Sequence, residues 1–362
     1  MSKKKIALVI GKLTSGGAQR VMSTLSNMLI EKYDITIITI HPNHSFYTIN
    51  PNVRIVNCFE KKITSNNIPL PQIGLYFLIT KKIYQIIKAE KISLVISFIT
   101  NTNVFSIIAS KYAKIPCLIS ERTNPKIAKL SRFWNFVRKI TYPLADKVIV
   151  QTNLVKVFYE KFLDTKKIVV LPNPISSELT KKIKETEREN IVLHVGRLHW
   201  VKNQKSIVEA FANLNNEEWQ LVILGEGREK ENLNSLVNTL GKTNIHILDS
   251  EKEIERHYNK SKIFVFNSFY EGFPNALLEA MHFGLAPIST NCESGPSELI
   301  DDGTDGFLIE VDNQTQLEQK LDSLVNNPQL VTDMGIKAKK KVDGYRAEKV
   351  VKLWDDMIKE YI

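Results

Sequence analysis

Two glutamates, Glu271 and Glu279, frame the run Glu-Gly-Phe-Pro-Asn-Ala-Leu-Leu-Glu. The run follows an apolar, strand-like stretch, Ile263 to Phe266, and opens a helix with Pro274 in its first turn, where a missing N–H costs nothing. Glu271 then falls in the loop ahead of the helix and Glu279 about a turn and a half inside it. Two carboxylates converging on a strand-to-helix crevice suit a polyhydroxylated ligand, because each accepts two hydroxyl hydrogen bonds. The helix N-terminus adds amides and partial positive charge for a phosphate. A second candidate, Val195-Gly196-Arg197-Leu198 followed by Lys202-Asn203, closes another strand-like run. There the arginine fork and the lysine point charge, beside a following helix, fit a diphosphate.

Glycines mark the remaining strand ends. Gly11-Lys12-Leu13-Thr14-Ser15-Gly16-Gly17-Ala18-Gln19-Arg20 joins the first strand to the first helix, and Gly16 and Gly17 allow a ligand close to the backbone. No Gly-Lys-Ser/Thr closes this loop, so it is not a Walker P-loop, and its glycines lack the dinucleotide spacing. Leu224-Gly225-Glu226-Gly227 and Ser294-Gly295-Pro296-Ser297-Glu298 are further turns at strand ends. The chain contains no Asp-x-Asp, His-Glu-x-x-His or Cys-x-x-Cys. His194 lies within a strand and reads as a core residue.

These loops need a scaffold of alternating strands and helices, and the sequence supplies one. Strands are predicted at 5–10, 34–40, 53–57, 93–98, 116–120, 147–151 and 168–171. Helices are predicted at 17–31, 74–89, 101–112, 130–144 and 154–162. Such alternation implies right-handed crossovers and a parallel sheet covered on both faces. Pro172-Asn173-Pro174 breaks the pattern, and 173–190 reads as a linker between domains 1–172 and 191–345. The second domain repeats the alternation with strands at 191–195, 220–224, 244–248, 263–266 and 286–289. Its helices are predicted at 204–214, 228–240 and 274–283, and the tail beyond Asp312 reads as helical. A final helix, 346–362, carries Val350, Val351, Trp354, Met357, Ile358 and Tyr361 on one face. The fold class is α/β, two doubly wound Rossmann-like domains facing a cleft, with the last helix returning to the N-terminal domain. Ligands of such sheets sit beyond the strand C-termini.

The bulk properties agree. At 362 residues, a prior of about 150 residues per domain gives about two domains. The three cysteines, Cys58, Cys117 and Cys292, follow no motif spacing, which points to a reducing compartment rather than a disulfide framework. No apolar run approaches the ~18 residues of a membrane span, so the expectation is a soluble, cytoplasmic chain. The net charge of +10 conceals an asymmetry: residues 1–170 hold 26 Lys and Arg against 8 Asp and Glu, and the remainder holds 23 against 31. The basic half is expected to face something polyanionic, either nucleic acid or an anionic membrane.

The segments around Gly196-Arg197 to Lys202, Glu271 to Glu279 and Gly295-Pro296-Ser297-Glu298 resemble those of the retaining family 4 glycosyltransferases with the GT-B fold. The likeness extends to Gly16-Gly17-Ala18-Gln19-Arg20 and to Ile119-Ser120-Glu121-Arg122-Thr123-Asn124-Pro125, which is similar to that of bacterial enzymes assembling lipid-linked glycans. The resemblance implies Arg197, Lys202 and Glu271 as catalytic residues. It places Gly16, Gly17, Gly196, Gly225, Phe273, Asn275, Ala276 and Glu279 around the donor nucleotide-sugar, and Glu121, Arg122 and Asn124 on the acceptor side. Departures exist: Pro274 stands where many relatives have glycine, Arg122 where several have histidine, and Asp249 where glycine is common. The implied activity is transfer of a hexose or N-acetylhexosamine, GalNAc first and then Gal or GlcNAc, from a UDP-sugar to a polyprenyl-diphosphate-linked saccharide. It needs no cofactor and no metal, since the two cations can neutralise the departing diphosphate. A nucleotide-sugar epimerase or hydrolase on the same fold is the alternative. A non-catalytic nucleic-acid binder is a third reading, but the basic half has no recognised nucleic-acid-binding motif.

From Lys126 to Lys147 the chain reads as a basic amphipathic helix. Phe133, Phe136, Val137, Ile140 and Leu144 form an apolar stripe, with Arg132, Trp134, Arg138 and Lys139 around it. Most of this stripe is expected to be the helix's core face. The basic residues suit an anionic headgroup layer, giving peripheral association with the inner face of the cell membrane.

Overall fold

The computed structural model describes residues 3–362 apart from Ser15, Asn43, 62–71, 126–129, Glu185, Asn215, Lys252 and Ser294. The expected roles of Ser15, Ser294 and the first four residues of the Lys126–Lys147 stretch lie outside the described residues. The chain divides into two compact units, Met1–Pro174 with Ala347–Ile362, and Ile175–Arg346.

Unit 1 runs β1 (Lys5–Ile10), α1 (Gly17–Leu29), β2 (Asp34–Thr39), β3 (Arg54–Asn57), α2 (Gln72–Ala89), β4 (Leu94–Phe98), α3 (Thr100–Ala113), β5 (Cys117–Ser120), α4 (Arg132–Thr141), β6 (Lys147–Val150), α5 (Asn153–Tyr159) and β7 (Ile168–Val170). Its seven strands pair in parallel in the order β3-β2-β1-β4-β5-β6-β7. Strand residues alternate between two cores. Ile6, Leu8 and Ile10 enter one, with Val21 and Leu25 of α1, while Ala7 and Val9 enter the other, with Ile83 and Ile107 of α2 and α3. Because both faces are buried, the strands read as continuous apolar runs rather than polar–apolar alternation.

Unit 2 runs α6 (Ser177–Lys181), β8 (Ile191–Val195), α7 (Gln204–Ala212), β9 (Gln220–Leu224), α8 (Lys230–Leu240), β10 (Ile245–Leu248), α9 (Glu255–Lys260), β11 (Ile263–Phe266), α10 (Asn275–His282), β12 (Ala286–Thr290), α11 (Pro296–Leu299), β13 (Phe307–Ile309), α12 (Gln314–Val325) and α13 (Pro328–Lys341). Its sheet has the order β10-β9-β8-β11-β12-β13. In each sheet the strand order reverses at one point, between β1 and β4 in unit 1 and between β8 and β11 in unit 2.

The last helix, α14 (Ala347–Lys359), belongs to unit 1. Val350, Trp354 and Ile358 enter the same core as β1 and α1. Asp355, on that buried face, accepts from Lys32 Nζ (2.6 Å) and Tyr33 Oη (2.7 Å), and Lys359 Nζ lies 2.8 Å away. Burial alone would raise its pKa, but these partners hold it down at about 2.

Several details depart from the sequence reading. Of residues 173–190, expected as a linker, those from Ile175 onward belong to unit 2: Leu179 is buried in its core, and Arg188 donates to the carbonyls of Ser261 (2.7 Å) and Phe283. The helix predicted over 130–144 ends at Thr141 and tightens into a single 3₁₀ turn at Tyr142–Leu144, since Pro143 cannot donate the next helical bond. Pro274 is the N-cap of α10, with ψ of 69°, rather than a first-turn residue. The short elements α6, α9, α11 and β13 were not anticipated, being too brief to show a period.

Candidate functional site

The loops after β8 and β11 flank the switch point of the unit 2 sheet, where ligands of doubly wound sheets bind. Lys202 comes from the first loop and Glu271 from the second, and their side chains form an ion pair at this point. Both are largely enclosed, with side chains 20% and 14% exposed. The Lys202 ammonium also lies 5.2 Å from the centroid of the Phe266 ring at the end of β11. The two residues assigned separately to diphosphate and sugar therefore meet.

A buried relay positions the first loop. His194, in β8, is fully buried, and its Nδ1 lies 2.9 Å from the Val265 carbonyl of β11. Burial lowers its pKa to about 4, so the ring is neutral and Nδ1–H donates. Nε2 then accepts from the Gln204 amide (3.3 Å), which also donates to the Arg197 carbonyl (2.9 Å). Gln204 and His194 thus fix the backbone that carries Arg197, whose side chain remains exposed. His194 was read correctly as a core residue, but nothing in its spacing announced that it also holds this loop.

Gly196 and Gly225 are explained by packing. A Cβ on Gly225 would lie 1.9 Å from the Gly196 carbonyl oxygen, and one on Gly196 would lie 3.2 Å from His194 Nε2. The two strand-end loops are laced by Gly196 N–H to Leu224 O (3.0 Å) and Leu198 N–H to Glu226 O (2.8 Å). Glycine at 225 is thus required for the loops to touch, whatever else they bind.

On the other side of the switch point, α10 seats Glu279 one turn in. The residue is only 6% exposed, and its Oε2 accepts from the hydroxyl of Tyr258, itself fully buried (3.2 Å). Phe273 is buried, with Asn275 and Ala276 half-exposed at the helix start. Gly295 lies against Pro274: a Cβ there would come within 2.3 Å of Pro274 Cδ. Cys292 is close by, its thiol pushed up to about 12 by burial and then by the charge of Glu271. Among the described residues no cluster of three or more His, Cys, Asp or Glu has metal-binding geometry.

In unit 1, Gly16 caps α1 and Gly17 starts it. The hydroxyl of Tyr47 lies 3.3 Å from both the N and the O of Gly16. Ile99, after β4 at the other side of that sheet's switch point, has φ of 76°, a conformation costly for a β-branched residue.

The three residues expected on the acceptor side are all buried. The Glu121 carboxylate accepts from Thr100 (2.9 Å), Thr123 (3.2 Å), Tyr142 (2.7 Å) and Tyr159 (3.0 Å), which makes it the hub of an internal network. Burial, with the Glu121 charge, drives both tyrosine hydroxyls well above their ordinary pKa. Arg122 donates to Asn173 (2.6 Å) and lies over the rings of Phe98 and Trp354, while its Nε and Nη2 have no hydrogen-bond partner among the described residues. Burial pushes its guanidinium down to about 9.

The α4 expectation reverses. Phe133, Phe136, Ile140 and Leu144 are exposed, Phe136 to 63%, and only Val137 and Trp134 pack against the core. Arg138, expected at the surface, is instead buried over Phe158 and Tyr159, donating to Asn135 (2.9 Å). The apolar stripe therefore faces outward and one of its expected basic neighbours faces in.

A family model described as Glycosyltransferase Family 4 matches residues 15–179, and one described as Glycosyl transferases group 1 matches residues 176–341. The chain is 31% identical to a Campylobacter jejuni protein, with 98% of each chain covered. That protein is named GalNAc-alpha-(1->4)-GalNAc-alpha-(1->3)-diNAcBac-PP-undecaprenol alpha-1,4-N-acetyl-D-galactosaminyltransferase. It is 30% identical to an Escherichia coli UDP-Gal:alpha-D-GlcNAc-diphosphoundecaprenol alpha-1,3-galactosyltransferase, over 99% of this chain and 98% of that one. Among solved structures, Anabaena HepE in complex with UDP superposes with a TM-score of 0.81 at 16% identity, covering 99% of this chain and all of that one. This last likeness concerns the fold, two Rossmann-like α/β domains of the GT-B type.

Proposed function

Because the chain belongs to the family 4 glycosyltransferases, we propose that it is a retaining, metal-independent transferase working at the cytoplasmic face of the membrane. It moves a hexose or N-acetylhexosamine, GalNAc in the first place and Gal or GlcNAc next, from a UDP-sugar to a polyprenyl-diphosphate-linked saccharide. One observation carries the reading: the cation of the β8 loop meets the carboxylate of the β11 loop at the switch point of one sheet. The names of the Campylobacter and Escherichia relatives support the donor and acceptor classes.

On this reading the acceptor hydroxyl attacks the sugar's anomeric carbon from the face that the diphosphate leaves. The new C–O bond forms as the bond to UDP breaks, and the hydroxyl proton passes to the departing phosphate. The α configuration is kept, and no side-chain base is needed. What the protein must supply is positioning and charge. Arg197 and Lys202 meet the negative charge growing on the diphosphate, and the first-turn amides of α10 add to it. Glu271 accepts from the sugar's hydroxyls. Glu279, fixed by Tyr258, accepts from the ribose.

The acceptor is lipid-borne, which gives the outward stripe of α4 a purpose. Phe133, Phe136, Ile140 and Leu144, with Arg132 and Lys139 beside them, suit the headgroup layer of an anionic leaflet. No helix among the described residues is long and apolar enough to cross a membrane.

The direct test measures UDP release from UDP-GalNAc, UDP-Gal and UDP-GlcNAc with and without a lipid-linked saccharide. Release that depends on the lipid-linked saccharide is expected. Equal release without it would mean a hydrolase, and epimerised sugar would mean an epimerase.

A further inference from the structure

Unit 1 carries an apolar groove between α2, α3 and α4, with a volume of about 760 Å³. Its floor is aromatic: the Tyr76 ring lies 5.6 Å from Phe105 and 5.1 Å from Trp134, centroid to centroid. Its rim is unusual for a water-facing surface, since Phe77 is 71% exposed and Tyr112 76%. Phe133 of α4, also exposed, stacks over Tyr76 and continues the groove into the outward stripe of that helix. Contiguous exposed apolar surface of this kind marks a binding site.

The charges around the groove identify its occupant. Helices α2, α3 and α4 together carry Lys81, Lys82, Lys88, Lys111, Arg132 and Lys139, besides the inward-facing Arg138, and not one Asp or Glu. Lys81 itself lines the groove. An apolar trough with a wholly cationic frame matches a hydrocarbon chain that ends in an anion. The volume lies within the range of about 300–1,000 Å³ of pockets that enclose ligands.

We infer that this groove holds the hydrocarbon tail of the acceptor, drawing the polyprenyl chain out of the bilayer while the cations meet its diphosphate. The inference rests on the lipid-linked acceptor proposed above. It assigns the enzyme a second determinant of acceptor choice, chain length, separate from recognition of the saccharide. The outward stripe of α4 rests on the membrane, and the groove behind it receives one chain.

The test uses binding alone, with no sugar donor. A dansyl-labelled polyprenyl diphosphate lacking any saccharide is titrated into the full chain, and energy transfer from tryptophan is followed, Trp134 being in the groove. A two-isoprene diphosphate is the comparison. Long-chain binding should be tighter, and Phe77→Ser and Tyr112→Ser should each weaken it about tenfold. Neither change should affect UDP affinity or the two-isoprene compound, and both variants alter exposed rim residues, so folding is checked by circular dichroism. Equal affinity for long and short chains would overturn the inference. So would unchanged binding in both variants, full competition by anionic phospholipid alone, or a Phe77-dependent dimer that excludes the probe. Sugar transfer is not read, so a negative result leaves the transferase reading standing.

Discussion

The contact between Lys202 and Glu271 makes a prediction that neither residue makes separately. If Lys202 is to bind the diphosphate, it must give up or share Glu271, so the carboxylate competes with UDP for the lysine. At an effective dielectric of about 20, unit charges 4 Å apart attract by roughly 4 kcal/mol. Most of that is recovered when the lysine meets the diphosphate. Surface pairs are worth about 0–1 kcal/mol and broken buried pairs about 3–5 kcal/mol, and side chains 20% and 14% exposed lie between. A residual competitive cost of about 1–2 kcal/mol is reasonable, which is roughly 5- to 30-fold in affinity.

Glu271→Gln should therefore tighten UDP binding by roughly 5- to 30-fold while lowering turnover, because the sugar loses a charged acceptor. Lys202→Ala should weaken UDP and leave Glu271 uncompensated. In Lys202→Ala/Glu271→Gln, UDP should bind more tightly than in Lys202→Ala, because the uncompensated carboxylate no longer repels the diphosphate, but less tightly than in Glu271→Gln, which keeps the lysine. Titration calorimetry with UDP, followed by kcat with the UDP-sugar, reads both halves. If Glu271→Gln binds UDP no more tightly than the parent while Lys202→Ala binds it normally, the pair is structural and the assignment of Lys202 to the diphosphate fails.

Other outcomes follow from the same geometry. Arg197→Ala should lower kcat by roughly 10²–10³, the size expected for losing one donor to a developing anion, with the circular dichroism spectrum unchanged; a strict requirement for Mn²⁺, lost with EDTA, would contradict the two-cation clamp. Glu279→Gln should chiefly raise the Kd for UDP, and Tyr258→Phe should do so more mildly by freeing the carboxylate it holds; an effect on turnover alone would reverse the roles of the two glutamates. Asp355→Asn should loosen α14 from the turn between α1 and β2, where Lys32 and Tyr33 lie. Since the folded pKa of Asp355 is depressed to about 2 from 3.8, its contribution is full above the unfolded value and is lost as pH falls through the folded one. The parent should lose on the order of 2 kcal/mol of stability between about pH 5 and pH 1 that the variant never had, as read by urea titration. Arg132→Ser with Lys139→Ser should abolish salt-sensitive sedimentation with anionic liposomes and spare UDP binding; equal partition onto neutral vesicles would remove the membrane reading.

How far the sequence reached depended on the range of the physics involved. Both sheets were legible because parallel strands buried on two faces are apolar throughout, and Ile6 to Ile10 and Ile263 to Phe266 need no partner to look like strands. The strand-end residues were legible for the same reason: once β8 and β11 are placed, Arg197, Lys202 and Glu271 must lie beyond them. What no local pattern contains is the partner. Nothing near Lys202 says that its ammonium meets Glu271, and nothing near Glu279 points to Tyr258. Gly225 reads from sequence as a turn at a strand end, but the requirement for glycine there comes from the Gly196 carbonyl, which no local pattern contains.

The α4 segment shows the limit most sharply. Its amphipathic pattern was plain, but periodicity measures only that a helix has two different faces, not which one the protein covers. Here α3 and α5 take the side with Trp134, Val137 and Arg138, and the burial of Arg138 becomes tolerable only because Phe158 and Tyr159 lie beneath its guanidinium and Asn135 accepts from it. With that side used, the apolar stripe of Phe133, Phe136, Ile140 and Leu144 has no core left to enter. A chain whose sheet is already covered on both faces gains little for its own stability from the exposed parts of four more apolar side chains. Their presence beside a wholly cationic set of helices is therefore most economically explained by a surface outside the protein, which is where a lipid-borne acceptor would be.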